Sequence, residues 1–402
     1  MAASATIAPM NSAAVPVRRS QTIIYFASIL AFGLTSAALG PTLQGLADKS
    51  QTDLSGISYL FTARSFGMLL GSFFLSRLYD RKRGHTVLAV MLLVMAIMMA
   101  LVTVAATLFL LIAIMVLLGA AEGALDAGTN TLLTWIHKER VAPYMNALHF
   151  FYGVGATLSP IIVAQALQSP RGIAASYLIL ALLTLLIAPF VFRVASPPIQ
   201  IAATNSATEK LDYRLVLLVA FFLFLYVGAE VGFGGWIFNY AVKLQISDAQ
   251  MASYLTAAFW GALTLGRLLS IPLAAKLRPR TILLIDLSGC FLSLLLIFLS
   301  PASFTAVAIG TLGIGLSMAS IFPTMLTFAG RRMQISGQVM GWFIVGASLG
   351  AMFLPWLIGQ LFDRLEAHIM TLLIAADLLI ALGVFAALFI FSKKGQVVKE
   401  NL

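Results

Sequence analysis

Charge is what this sequence has least of. Asp, Glu, Lys and Arg make up 10% of its 402 residues, against about 25% in an average soluble chain. Hydrophobic residues supply 60%, which excludes an ordinary soluble globular domain. There is one cysteine, Cys290, so no intrachain disulfide can form. No Gly-x-x-x-x-Gly-Lys-Ser/Thr run occurs, so a phosphate cradle of that type for ATP is absent. No His/Cys/Asp/Glu grouping at metal-ligand spacing stands out, nor a nucleophile beside a base, so neither enzyme activity nor a cofactor is expected. Acidic residues are scarcer than basic ones, 15 against 25, giving a net charge of +10. That excess does not predict a nucleic-acid partner, because the basic residues fall in short loops between apolar runs.

Those apolar runs are what the sequence does have. Runs of about 20 apolar residues suit a helix crossing a bilayer, and they recur along the whole chain. Spans are expected at 22–46, 55–78, 85–106, 108–136, 144–167, 173–194, 214–241, 251–275, 280–300, 303–328, 339–362 and 369–392. The chain is thus expected to be an all-α membrane protein of 12 transmembrane helices. It would divide into a tail 1–21, a six-helix half 22–194, a polar linker 195–213, a second six-helix half 214–392 and a tail 393–402. Nineteen Lys and Arg residues fall on the side of the termini and linker and four on the other, with Arg64 and Arg267 inside spans. The positive-inside rule then puts both termini in the cytoplasm of a cell that carries the chain in its inner or plasma membrane. A monomer is the default for this architecture.

The halves repeat at an offset of 195 residues. Gly33 matches Gly228, Gly40 matches Gly235, Tyr59 matches Tyr254, Gly155 matches Gly350, Pro160 matches Pro355 and Gln165 matches Gln360. Each half starts on the same side and has an even number of spans, so the repeats run parallel. Charged positions break the repeat: Glu122 maps onto Ser317, Asp126 onto Ile321, and Glu230 back onto Thr35. The shared scaffold therefore does not require these acids.

An ionisable group at bilayer depth costs several kcal/mol (about 2.5 or more), so it marks a cavity, a partner or a pathway. Glu122, Asp126 and Asn130 stand four apart and share one face of the fourth span. They are candidate ion-coupling residues, the two carboxylates holding a shared proton or Na⁺, with Arg64 of the second span as charge partner. The alternative is a structural salt bridge to Arg64, and both can hold if the bridge is exchanged during a cycle. Glu230, among Gly228, Gly232, Gly234 and Gly235, is a candidate residue for binding substrate or ion on a helix expected to bend or unwind there, the alternatives being a pair with Arg267 or a helix end reaching the headgroups. Trp236, Asn239 and Trp260 would form a platform for a sugar, whose C–H faces pack on aromatic rings and whose hydroxyls need polar partners. His149, either an imidazole able to titrate near physiological pH or a neutral residue hydrogen-bonded inside the bundle, and Phe150 complete the substrate candidates. Arg267, Asp286 and Asp377 read as structural.

Two resemblances follow from these residues. The loop Arg77-Leu-Tyr-Asp80-Arg81-Lys82-Arg83-Gly84 resembles the Gly-x-x-x-Asp-Arg-x-Gly-Arg-Arg signature of the major facilitator superfamily, with its glycine one residue late. That implies the two-half major facilitator fold, alternating access, and a gating role for Asp80, Arg81 and Arg83. The stretches 40–43, 61–67, 119–130, 149–155, 228–236, 266–267 and 322–324 are similar to the branch of fucose–proton symporters and sodium-dependent glucose transporters. That likeness implies cation-coupled uptake of a monosaccharide such as glucose, with H⁺ or Na⁺ as coupling ion. The fucose-type pattern has an acid in the first span, where this chain has Thr35 and Ser36. Proton-coupled efflux of drugs or lipophilic metabolites, and lipid transport, are the alternative functions.

Overall fold

A computed structural model describes residues 14–199 and 212–400, with backbone alone for 14–17 and 391–400. Among these the chain is helical, with no strand. An apolar segment in a bilayer must satisfy its backbone internally, and a helix does this within one segment. The helices are α1 (Ala14–Ser36), α2 (Leu39–Lys49), α3 (Leu54–Ile57), α4 (Tyr59–Leu70), α5 (Gly84–Val102), α6 (Leu108–His137), α7 (Ala142–Ala166) and α8 (Gly172–Arg193). After the undescribed residues 200–211 come α9 (Tyr213–Lys243), α10 (Ala249–Lys276), α11 (Pro279–Leu299), α12 (Phe304–Met318), α13 (Ile321–Gly330), α14 (Gly337–Phe362) and α15 (Ile369–Glu400). Side-chain caps fix several starts: Asp53 accepts from the Gly56 N–H, Asp248 from Met251 and Ser336 from Val339.

Ten stretches are long and apolar enough to cross a membrane, and the pair α1–α2, bent by 46°, makes eleven among the described residues. The difference from the expected twelve lies at 55–78. That stretch is helical but broken into α3, α4, a π-helical turn at Gly71–Leu75 and a 3₁₀ turn at Ser76–Leu78. Of the expected segment boundaries, α1 already begins at Ala14, and most of the linker 195–213 lies outside the described residues, as do 1–13 and 401–402.

The packing of the helices repeats. Helix α1 lies on α7, α4 on α6, and α5 on both α6 and α8; after residue 212, α9 lies on α14, α10 on α12, and α11 on α12. The glycines matched in the sequence explain one of these crossings. A Cβ on Gly155 would sit 2.1 Å from the Leu30 carbonyl oxygen, and one on Gly350 would sit 1.9 Å from that of Phe224, so each crossing depends on a missing side chain. Between the two sets, α4 meets α14 and α7 meets α10. Gly40 and Gly235, related by the offset, face each other, with a Cβ on Gly40 falling 2.9 Å from the Gly235 oxygen.

Side-chain bonds between the two sets cluster at one end of the bundle. The Gln360 amide donates to the Ser55 carbonyl (2.9 Å) and accepts from the Ser55 hydroxyl (2.8 Å). Gln165 donates to the Tyr254 hydroxyl, and Asn239 donates to the Gly40 carbonyl (3.3 Å). These contacts close that end.

The helix breaks are not where the glycines predicted. Helix α9 runs unbroken through Gly228, Gly232, Gly234 and Gly235, because these glycines face neighbouring helices and side chains rather than freeing the backbone. Besides the interruptions within 55–78, breaks fall at Ala37–Ala38, between α1 and α2, and at Ala319–Ser320, between α12 and α13.

Candidate functional site

The centre of the site is an ion pair. Close packing of α4 on α6 creates it: a Cβ on Gly119 would lie 2.0 Å from the Arg64 carbonyl oxygen, so only glycine lets the backbones approach this far. The Arg64 guanidinium then reaches Glu122 with two bonds, Nε to Oε2 and Nη2 to Oε1, each 2.8 Å. Glu122 is fully buried and the Arg64 side chain is 15% exposed. Two-pronged, charge-assisted bonds of this kind are stronger than neutral ones and fix orientation.

The break between α1 and α2 completes the arrangement. The last residues of α1 lose their onward helical partners, so their polar groups are available. The Thr35 hydroxyl donates to Glu122 Oε1 (2.6 Å), and Arg64 Nη1 donates to the Ser36 carbonyl (2.7 Å). The Ser36 hydroxyl lies 2.9 Å from that of Tyr152 on α7. The Tyr152 ring packs on Phe32. The sequence reading had not assigned Tyr152 a role, although it falls in the stretch 149–155.

Asp126 stands apart from this pair. It accepts from the Asn130 amide (3.0 Å), and among the described residues no cationic side chain pairs with it. The expected shared pair of Glu122 and Asp126 is thus divided: Arg64 takes one carboxylate and leaves the other on the same helix face. Asn130 lines an open cleft of about 280 Å³ with Thr131, Thr134, Trp135 and Met145. A cation on this face would find the Asp126 carboxylate and Asn130 amide oxygens, while those of Glu122 are already engaged. No group of three His, Cys, Asp or Glu side chains fit for a metal occurs among the described residues.

A second acid–base pair lies in the other set of helices. Glu230 Oε1 on α9 is 4.0 Å from Arg267 Nη2 on α10, and the Tyr226 hydroxyl lies against Glu230 Oε2. Tyr226 also lies 2.9 Å from the Met318 carbonyl oxygen, at the end of α12. Spacing was the signal for Tyr226, since it stands four residues before Glu230 on one helix face.

The remaining candidates separate into those bound into the seam between the two sets and those that are not. Trp236 is fully buried, its N–H donating to the Pro355 carbonyl (2.9 Å) between Phe61 and Phe362. Asn239 is 3% exposed and bound to Gly40. Both are therefore part of the closed end in this conformation and not of a sugar platform, because their polar groups are already bonded and their surfaces covered. Trp260 differs: it is 94% buried yet its indole N–H has no partner among the described residues. His149 is exposed and Phe150 half-buried, the latter edge-on to Phe151. Asp80, Arg81 and Arg83 are exposed, and none forms an ion pair among the described residues. Asp286 accepts from Ser320 (2.5 Å) at the break between α12 and α13.

Known proteins place this architecture. Residues 22–355 match the family model described as Major Facilitator Superfamily. The sodium-dependent glucose transporter 1 of Xenopus laevis is 31% identical over 355 residues, covering 81% of this chain and 72% of that protein. The human protein of the same name is 28% identical over 373 residues, 83% of this chain and 72% of that protein. The crystal structure of the nucleoside transporter NupG superposes with a TM-score of 0.72 at 15% identity, covering 93% of this chain and 99% of that one. The fold is that of major facilitators, which are transporters rather than enzymes, and the chain is a multi-pass membrane protein belonging to the major facilitator superfamily.

Proposed function

We propose that this transporter couples movement of a monosaccharide such as glucose to the gradient of a cation, Na⁺ or H⁺, by alternating access. The observation that carries the reading is the division of labour on α6. Glu122 is neutralised by Arg64, while Asp126, one turn away and half-buried, has no cationic partner among the described residues. A carboxylate at such depth favours taking up a cation or proton. Likeness to sodium-dependent glucose transporters supports the choice of solute. Glu230, Trp260, Phe150 and His149 are the proposed solute contacts, and the indole N–H of Trp260, unpartnered among the described residues, is a donor suited to a sugar oxygen. The excess of Lys and Arg beside the termini supports a cytoplasmic location for both. The closed end is then extracellular and the conformation faces inward. Asp80, Arg81 and Arg83 are proposed to engage the other half when the cytoplasmic end closes.

Purified protein in liposomes tests this. Labelled glucose should accumulate against its gradient when Na⁺ or H⁺ is imposed on one side, and should equilibrate without accumulating when neither is. Accumulation with neither cation gradient, or no glucose uptake at all, rejects the reading.

A further inference from the structure

Two carboxylates, one in each set of helices, are bridged to a carbonyl at a helix break. Glu122 is bridged by Arg64 to the Ser36 oxygen, where α1 ends. Glu230 is bridged by Tyr226 to the Met318 oxygen, where α12 ends. The bridging side chains differ in one decisive respect. A guanidinium carries five N–H donors, so Arg64 serves both acceptors at once. A phenol carries a single O–H, so Tyr226 donates to Glu230 or to Met318, but not to both.

The two acceptors compete on unequal terms. A hydrogen bond to a carboxylate is roughly twice as strong as one to a neutral carbonyl. Glu230 is held only loosely by Arg267, at 4.0 Å. It therefore keeps most of its charge for Tyr226 when nothing else is bound. Anything that donates to the carboxylate draws on the same charge and lowers that advantage. The far side of the break is fixed independently, because Ser320 donates to Asp286 of α11 (2.5 Å). The Met318 side is then the one free to change, and Tyr226, 1% exposed, has little room to move elsewhere.

We propose that Tyr226 is a positioning residue that reports occupancy of Glu230 to the break at Ala319–Ser320. With Glu230 unliganded the Tyr226 proton lies on Glu230 and the Met318 carbonyl is left weakly bonded. With a hydroxyl of a polyhydroxy solute on Glu230 the proton passes to the Met318 carbonyl and the break stiffens. No covalent bond is made or broken; one O–H exchanges acceptors. This rests on the reading that Glu230 contacts the transported solute.

Backbone hydrogen exchange at Ser320, Ile321 and Phe322, measured by mass spectrometry on the full chain in detergent, tests the switch. D-glucose should slow exchange there by roughly threefold or more in the parent protein. In Tyr226→Phe the slowing should vanish while glucose affinity stays within about threefold, since a single hydrogen bond is lost. In Glu230→Gln, which removes the charged acceptor, exchange should be slow already without sugar. Persistent sugar-dependent slowing in Tyr226→Phe overturns the switch. So does Glu230→Gln exchanging as the sugar-free parent does, an arm that decides the matter even if Tyr226→Phe does not fold. Failure of glucose to bind the parent protein counts against the proposed solute instead, and leaves the Glu230→Gln arm to judge the switch.

Discussion

The Arg64–Glu122 pair and the Arg267–Glu230 pair put the same chemistry to different use. The first is held by four bonds: two of 2.8 Å between the partners, Thr35 on one carboxylate oxygen, and the Ser36 carbonyl on the third guanidinium nitrogen. The second is open: one approach of 4.0 Å, with side chains 25% and 13% exposed. The lesson is that burial of a charge does not by itself mark a moving part. A pair tied down by four such bonds resists change, because each must be replaced before the pair can part. A loose pair beside a single-proton phenol has somewhere to go. On this comparison the Arg64 site is proposed to fix the geometry around Asp126, and the Glu230 site to respond.

The largest effect is expected from breaking the tight pair. Arg64→Leu leaves Glu122 buried without a partner, which costs about 3–5 kcal/mol in comparable buried pairs. Thermal unfolding in detergent should show a large loss of stability, and transport should fall below detection. If Arg64→Leu melts like the parent, the pair is not the fixed element described here. Next comes Gly119→Ala. Its Cβ would fall 2.0 Å from the Arg64 carbonyl oxygen, so α4 must move away from α6. Overpacking of this kind costs about 1–3 kcal/mol, and the displacement should also weaken transport by misplacing Arg64.

A smaller loss is expected from Arg267→Leu. The pair is longer and partly solvated, so its removal should cost about 1 kcal/mol or less, measured in the same melting experiment. A loss equal to that of Arg64→Leu would erase the contrast between the two pairs. The smallest stability change belongs to Asp126→Asn, which keeps a polar group beside Asn130 and should stay within about 0.5 kcal/mol of the parent. Its effect is expected on coupling: gradient-driven glucose accumulation should be lost while glucose exchange across the liposome persists. Retained accumulation would remove Asp126 from the coupling site.

Much of the site could be read from residues alone, for reasons of spacing and depth. Glu122, Asp126 and Asn130 stand on one face because the helical repeat puts residues four apart together. Arg64 was the natural partner for Glu122 because a cation in an apolar span must find a carboxylate. Tyr226 obeys the same four-residue rule relative to Glu230, but a tyrosine in a membrane helix attracts no notice, since it bears no charge. Trp236 and Asn239 show the opposite failure. Aromatic and amide side chains at bilayer depth suit a sugar, and nothing local reveals that Pro355 and Gly40 have claimed their polar atoms. The glycines of α9 mislead for a related reason. A glycine loosens a helix only where no neighbour fills the space, and here neighbouring helices do.

The sequence alone determined the family, the membrane-spanning class and the internal repeat. These are properties of hydrophobic runs, loop charge and matched positions, all of which are local or periodic along the chain. Tertiary structure decided which carboxylate is neutralised and which is left, because that depends on how closely α4 approaches α6. It also decided where the spans break and which polar atoms are already bonded. These depend on contacts between residues far apart in sequence, such as Gly40 with Asn239 and Tyr226 with Met318, and no window along the chain contains them.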